Sequence, residues 1–160
     1  METVYVETTV VSYLVSRSSR DVVIAGHQQV TREWWDECRH DFACFTSDLV
    51  VAEAREGDAR QAALREEALA GLPRLAVSEE AERLAEAFLA GGILPENAAA
   101  DALHLAMATI ASVDYLLTWN CRHLANARLL NPLEDLAAGL GYRMPRVCTP
   151  EALMGNSRDD

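Results

Sequence analysis

Polar and apolar positions alternate along this chain between strand-like runs and helix-like spacings. Thr3-Val-Tyr-Val6 is a short β-rich run that stops at Glu7. Val10, Val11, Tyr13 and Leu14 then recur at helical spacing, with Thr8 or Thr9 as the expected cap. Arg17-Ser-Ser-Arg20 reads as a polar loop. From Asp21 to Arg39 the apolar residues Val23, Ile24, Val30, Trp34 and Trp35 mark a second helix, with Asp21 as its N-cap. Phe42 to Thr46 is an aromatic-rich strand, and Ser47 caps a helix that carries Leu49, Val50 and Glu53 and ends near Gly57.

The same alternation continues to the end. A helix is expected from Asp58 to Ala70, then a weak strand from Leu72 to Val77 that Pro73 confines to an edge or a strand start. Ser78 opens a helix that Gly91-Gly92 closes, and Pro95 starts another from Glu96 to Ala111. Tyr115 to Thr118 is a fourth strand. Short helices are expected at 121–126 and 132–139, a last strand at Pro145 to Cys148, and a helix start at Thr149-Pro150-Glu151. Residues 156–160 read as a frayed tail, with 1–155 as one domain. Strands and helices alternating at these lengths imply a parallel sheet covered on both faces. Functional groups in such sheets collect at the carboxyl ends of the strands, where strand order reverses.

That rule picks out a set of residues. Glu7 follows strand 1, Glu53 lies in the helix after strand 2, Asp101 opens the helix feeding strand 4, and Asn120 lies just beyond it. Asp101 sits in an almost wholly apolar segment, Asn97 to Ala108. A carboxylate there is costly to bury without a cation or several hydrogen bonds, although a helix-start acid is also favoured by the macrodipole. Three carboxylates and an amide around one cleft suit a hard ion such as Mg2+ or Mn2+, which could position water and steady charge on a phosphate oxygen. Glu7, Asp101 and Asn120 are the expected ligands, and all four residues the expected catalytic set. No G-x-S-x-G elbow points to a nucleophilic serine. A D-x-D phosphatase pattern is also missing.

Composition alters this picture only in part. The 160 residues are 50% hydrophobic with a net charge of −11, which argues against a nucleic-acid partner at first sight. The distribution is uneven: residues 48–114 carry 13 acids and 5 arginines, while 115–148 carry 2 acids and 4 arginines. All 14 basic residues are arginine, whose planar fork suits phosphate. Arg17, Arg20 and Arg122 follow strands 1 and 4, where a substrate backbone would pass, and Thr8 and Thr118 could orient water or phosphate. The first fifteen residues hold Glu2 and Glu7 and no basic residue, unlike a secretory signal, and no apolar run could span a bilayer, so a cytoplasmic location is expected. Cys38 and Cys121 each precede a histidine by two residues. Reduced thiols are the simpler reading than a zinc site. His104 reads as a satisfied interior histidine and Asp114 as a solvated strand-entry acid. Of the adjacent Trp34 and Trp35, a helix can bury one, leaving the other for an interface.

Four ordered blocks carry a resemblance. Val4 to Leu14, Thr46 to Glu53, Ala100 to Ala106 and Val113 to Asn120, with Arg146 to Leu153 at the end, together resemble PIN domains, and most closely VapC-type toxins of bacterial toxin–antitoxin pairs. The resemblance implies a three-layer α/β/α sandwich around a parallel sheet of about five strands. It also implies a Mg2+- or Mn2+-dependent ribonuclease, a homodimer, and inhibition by a small antitoxin protein. Glu7, Glu53 and Asp101 match the family's first three acids, the first of which is usually Asp. Asn120 matches a fourth position usually filled by Asp. Glu7 reaches about one methylene further, and Asn120 removes a charge, so a module that binds RNA or protein with weak catalysis is the alternative expectation.

Overall fold

The computed structural model describes residues 1–155, and the tail expected at 156–160 lies outside the described residues. Five strands form one parallel sheet in the order β3-β2-β1-β4-β5. They are β1 (Thr3–Val6), β2 (Ala43–Ser47), β3 (Arg74–Leu75), β4 (Tyr115–Leu117) and β5 (Arg146–Cys148). β1 is central, pairing Val4 with Cys44 on one side and with Tyr115 on the other. Its interior residues Val4, Tyr5 and Val6 are fully buried, as a strand covered on both faces requires.

Strand order reverses at β1, because the chain builds outward to β3 on one side and then returns to place β4 on the other. The helices divide accordingly. α1 (Thr8–Val15) packs on α2 (Val22–Glu33), α3 (Asp48–Ala54) and α4 (Ala59–Leu69). α5 (Glu79–Ala90) packs on α6 (Ala99–Ile110) and α7 (Ala127–Gly139). The crevice at the carboxyl ends of β1 and β4 is therefore the switch point of the sheet. The sequence expectation of a PIN-like α/β/α sandwich with about five parallel strands holds.

Several local expectations need correction. Glu7, not Thr8 or Thr9, is the N-cap of α1, its carboxylate accepting from Thr9 N. α2 does not continue to Arg39 as α-helix. Its turns widen into a π-helix at Trp34–Cys38 and then tighten to a 3-10 turn at Arg39–Asp41. The apolar face read for α2 is also shifted: Val23 is 66% exposed, whereas Gln28 and Thr31 are buried. Residues 121–126 form turns, and one helix covers 127–139, capped by Asn126. Pro132 lies inside that helix instead of starting it, at the cost of one intrahelical hydrogen bond. Trp34 is buried, while the half-buried Trp35 packs on the core and lies under the Arg39 guanidinium, 4.5 Å from the ring centroid.

Ser47 ends β2 and caps α3, its Oγ accepting from Val50 N at 3.1 Å. The same oxygen lies 2.8 Å from the Tyr5 hydroxyl, so one side chain ties the central strand to the helix that carries Glu53. Ser47→Ala is expected to cost about 1–2 kcal/mol, read as a lower urea midpoint with an unchanged slope.

Candidate functional site

Glu7, Glu53, Asp101 and Asn120 lie along the carboxyl edge of the sheet in two separate sets of hydrogen bonds, one around Glu7, Asp101 and Asn120 and one around Glu53. Glu7 leaves β1 with its backbone N–H still bonded to Leu117 O, which fixes it beside the end of β4. Its side chain is 4% exposed. One carboxylate oxygen, Oε2, takes three donors: Thr9 N at 2.9 Å, Thr9 Oγ1 at 2.5 Å and Thr118 Oγ1 at 2.9 Å. Burial pushes the Glu7 carboxyl above its usual range, and the charge of His104 with the Thr9 and Thr118 donors only partly offsets it.

Glu53 is held differently. Its Oε1 accepts from Thr8 Oγ1 at 2.5 Å and lies 2.6 Å from His104 Nε2. Burial acts to raise this carboxyl, but the hydrogen bond and charge of His104, with the Thr8 hydroxyl, outweigh it and hold Glu53 below its usual value. His104 is wholly buried, and its Nδ1 lies 2.8 Å from the Tyr5 hydroxyl. The nitrogen facing an ionised Glu53 must carry a hydrogen in either protonation state of the ring. A chain of side chains thus runs from Ser47 through Tyr5 and His104 to Glu53 and Thr8, crossing from α3 through β1 to α6 and back. Burial, the largest influence, raises the Tyr5 hydroxyl, so it stays protonated within this chain.

Asp101, on the first turns of α6, uses both oxygens. Asn120 Nδ2 donates to Oδ1 at 2.9 Å, and His123 Nδ1 lies 3.0 Å from Oδ2. Asn120 is itself fixed, with Oδ1 accepting from His123 N and its own N–H donating to Thr118 Oγ1. Thr118 therefore joins Asp101 and Asn120 to Glu7.

No family model matches the sequence, and no curated protein matches it. Solved structures do match. VapC20 of Mycobacterium tuberculosis, a toxin that cleaves the sarcin-ricin loop, superposes with a TM-score of 0.54 at 18% identity, over 74% of this chain and 91% of that one. VapBC2 of Rickettsia felis, solved bound to a DNA fragment from its promoter, superposes with a TM-score of 0.55 at 11% identity, over 92% of this chain and 98% of that one. The fold is that of the VapC toxins.

Within that VapC fold the donor set suits a hard, oxygen-preferring ion in kind. Glu7 Oε1 and Glu53 Oε2 make no hydrogen bond to described residues, whereas Asp101 and Asn120 are bonded to each other and to His123. Among the described residues, no three of the His, Cys, Asp and Glu side chains gather closely enough to cage an ion. The carboxylates occupy one edge of the VapC-like sheet while each keeps its own partners.

The remaining sequence candidates fall at different places. Thr8 bonds Glu53. Thr118 is fully buried with its hydroxyl spent on Glu7 and Asn120 N, so it positions those groups and is out of reach of a substrate. Arg17 lines a groove between α1 and α4, while Arg20 and Arg122 are exposed on loops. Asp114 is at the opposite end of β4, accepting from Thr3 N and Thr3 Oγ1. Sequence reasoning missed Thr9, Tyr5, Ser47 and His123 as holders of the acids. The one available signal was hydroxyl residues beside acids, as in Glu7-Thr-Thr9.

Proposed function

We propose that this chain is a divalent-metal-dependent endoribonuclease that acts as the toxin of a type II toxin–antitoxin pair. The observation that carries the reading is the row of Glu7, Glu53, Asp101 and Asn120 at the switch point of the sheet, where Thr118 joins Glu7 to Asn120 and Asp101 while Thr8 and His104 hold Glu53. Mg2+ or Mn2+ would be held by Glu7, Asp101 and Asn120, and would supply a polarised water and a counter-charge for the phosphate. The chain's own part is orientation. Thr9 and Thr118 aim Glu7, and His104 and Thr8 hold Glu53 ionised where it can accept a proton from water. The likeness to VapC20, a toxin that cleaves the sarcin-ricin loop, supports a structured RNA as substrate. The likeness to the VapBC2 pair supports a small antitoxin partner. A homodimer and a cytoplasmic location are part of the same proposal. Among the described residues no helix is long and apolar enough to cross a membrane.

Asn120 favours a second reading. It supplies no charge and its amide is committed to Asp101 and His123 N, which leaves fewer free anions for an ion than four carboxylates would. A module that binds RNA or protein with weak catalysis would look the same. One titration separates the two. Millimolar Mn2+ is expected to raise the melting temperature and to start cleavage of structured RNA, and excess chelator to stop it. Antitoxin-free protein that cuts no RNA at any Mn2+ or Mg2+ concentration, and whose melting is unmoved, leaves the binding module as the function.

A further inference from the structure

A groove of about 560 Å3 runs between α1 and α4, lined by Ser12, Tyr13, Ser16, Arg17, Asp58, Arg60, Gln61 and Arg65. In a chain of net charge −11, it gathers three guanidinium groups against one carboxylate. Asp58 is occupied as the cap of α4, accepting from Gln61 N at 3.0 Å. Arg65 is anchored on Ala54 O and Glu56 O, so its charge is fixed in the wall. Arg17 and Arg60 are exposed, and neither side chain has a hydrogen bond or ion pair among the described residues. Gln61 adds a side-chain oxygen that is buried with no hydrogen-bond partner.

The groove begins one turn of α1 beyond the acid site, since Ser12 lines it and Thr8, four residues earlier, bonds Glu53. At a rise of about 1.5 Å per residue, Ser12 is ~6 Å along the axis from Thr8. Ser16, where the chain leaves α1 in an extended conformation, gives its hydroxyl to Tyr13 O and takes a bond from Gln28 Nε2. Tyr13 supplies an aromatic face, itself stacked on Trp119 with ring centroids 6.0 Å apart. Guanidinium groups beside an aromatic surface are the elements that follow a single-stranded nucleic-acid backbone.

We propose that this groove is the track for the RNA strand flanking the scissile phosphate, with Arg17 and Arg60 gripping phosphates and Tyr13 meeting a base. The assignment rests on the nuclease reading, and its test does not depend on turnover. Binding of a short fluorescent single-stranded RNA is measured by anisotropy in chelator across a salt series. The Arg17→Ala/Arg60→Ala protein is expected to bind at least about tenfold more weakly, with a log–log salt slope flatter by about 1.4, since each phosphate contact on a single strand contributes about 0.7. Both side chains are exposed, so melting should be unchanged. If alanine proves unstable, Arg17→Gln/Arg60→Gln removes the same charges. Wild-type affinity and slope in the folded variant would overturn the assignment even if the wild type cleaves RNA. Groove-dependent binding by a protein that never cleaves would uphold the track and sink the nuclease. Arginine-dependent binding of an acidic peptide, with RNA unaffected, would overturn the track in favour of a protein occupant.

Discussion

Glu7→Gln is expected to reduce RNA cleavage by at least about a hundredfold while leaving the metal-free fold no less stable than wild type. The two halves of this expectation have one cause. Glu7 is buried, and burial outweighs its three donors and the charge of His104 in raising its carboxyl, so the ionised form is held at a cost. A glutamine oxygen can accept the same bonds from Thr9 N, Thr9 Oγ1 and Thr118 Oγ1, and the α1 cap survives. The lost quantity is the negative charge of Glu7. Single-turnover cleavage and chemical denaturation in chelator read the two halves independently. A variant that loses stability together with activity would mean that the charge of Glu7 serves the fold, and the trade between stability and function argued from its burial would be wrong.

His104→Ala carries the largest expected loss of stability, about 3 kcal/mol. The substitution empties the volume of a wholly buried ring and takes one hydrogen bond each from the Tyr5 hydroxyl, which keeps Ser47, and Glu53 Oε1, which keeps Thr8. Glu53 is 28% exposed, so water recovers part of its loss, while Tyr5 has only Ser47 left. In a domain of this size the cost should appear as a melting temperature lower by roughly 6–12 °C. His104→Gln, which can still donate to Glu53, should lose less. A melting temperature within about 2 °C of wild type for the alanine variant would show that the chain from Ser47 to Glu53 contributes little to the fold.

The legible and illegible parts of this molecule differ in sequence range. β1, β2 and β4 are short runs whose period and bounding residues speak for themselves, and Glu7, Glu53, Asp101 and Asn120 follow from where those runs end. What stayed hidden depends on contacts between distant positions. Tyr5 reads as one more strand aromatic until His104 arrives from α6 to meet its hydroxyl. Thr9 reads as a cap, yet its hydroxyl belongs to Glu7, and Trp119 N donates to it from across the sheet. His123 looks like half of a Cys-x-His pair and is in fact bonded to Asp101, with Cys121 exposed. Local chemistry also misled at Pro132, where proline reads as a helix start and the upstream cap Asn126 decides otherwise. At Val23 and Ile24 an apolar pair suggests a buried face, but the interior positions of α2 go to Gln28 and Thr31, which have partners to bond.

The place of β1 in the sheet has a consequence for synthesis. β1 is made before the other four strands and is the central one, and one whole flank of it must wait for β4, with Val4 unpaired on that side until Tyr115 has emerged. Glu7 takes its backbone bond from Leu117 and one of its donors from Thr118, and Asp101 meets Asn120 only after that. Pairings of such long sequence separation form late. A nascent chain therefore carries its first acids out of the ribosome unassembled, and the edge they form closes only once Thr118 and Asn120 have emerged.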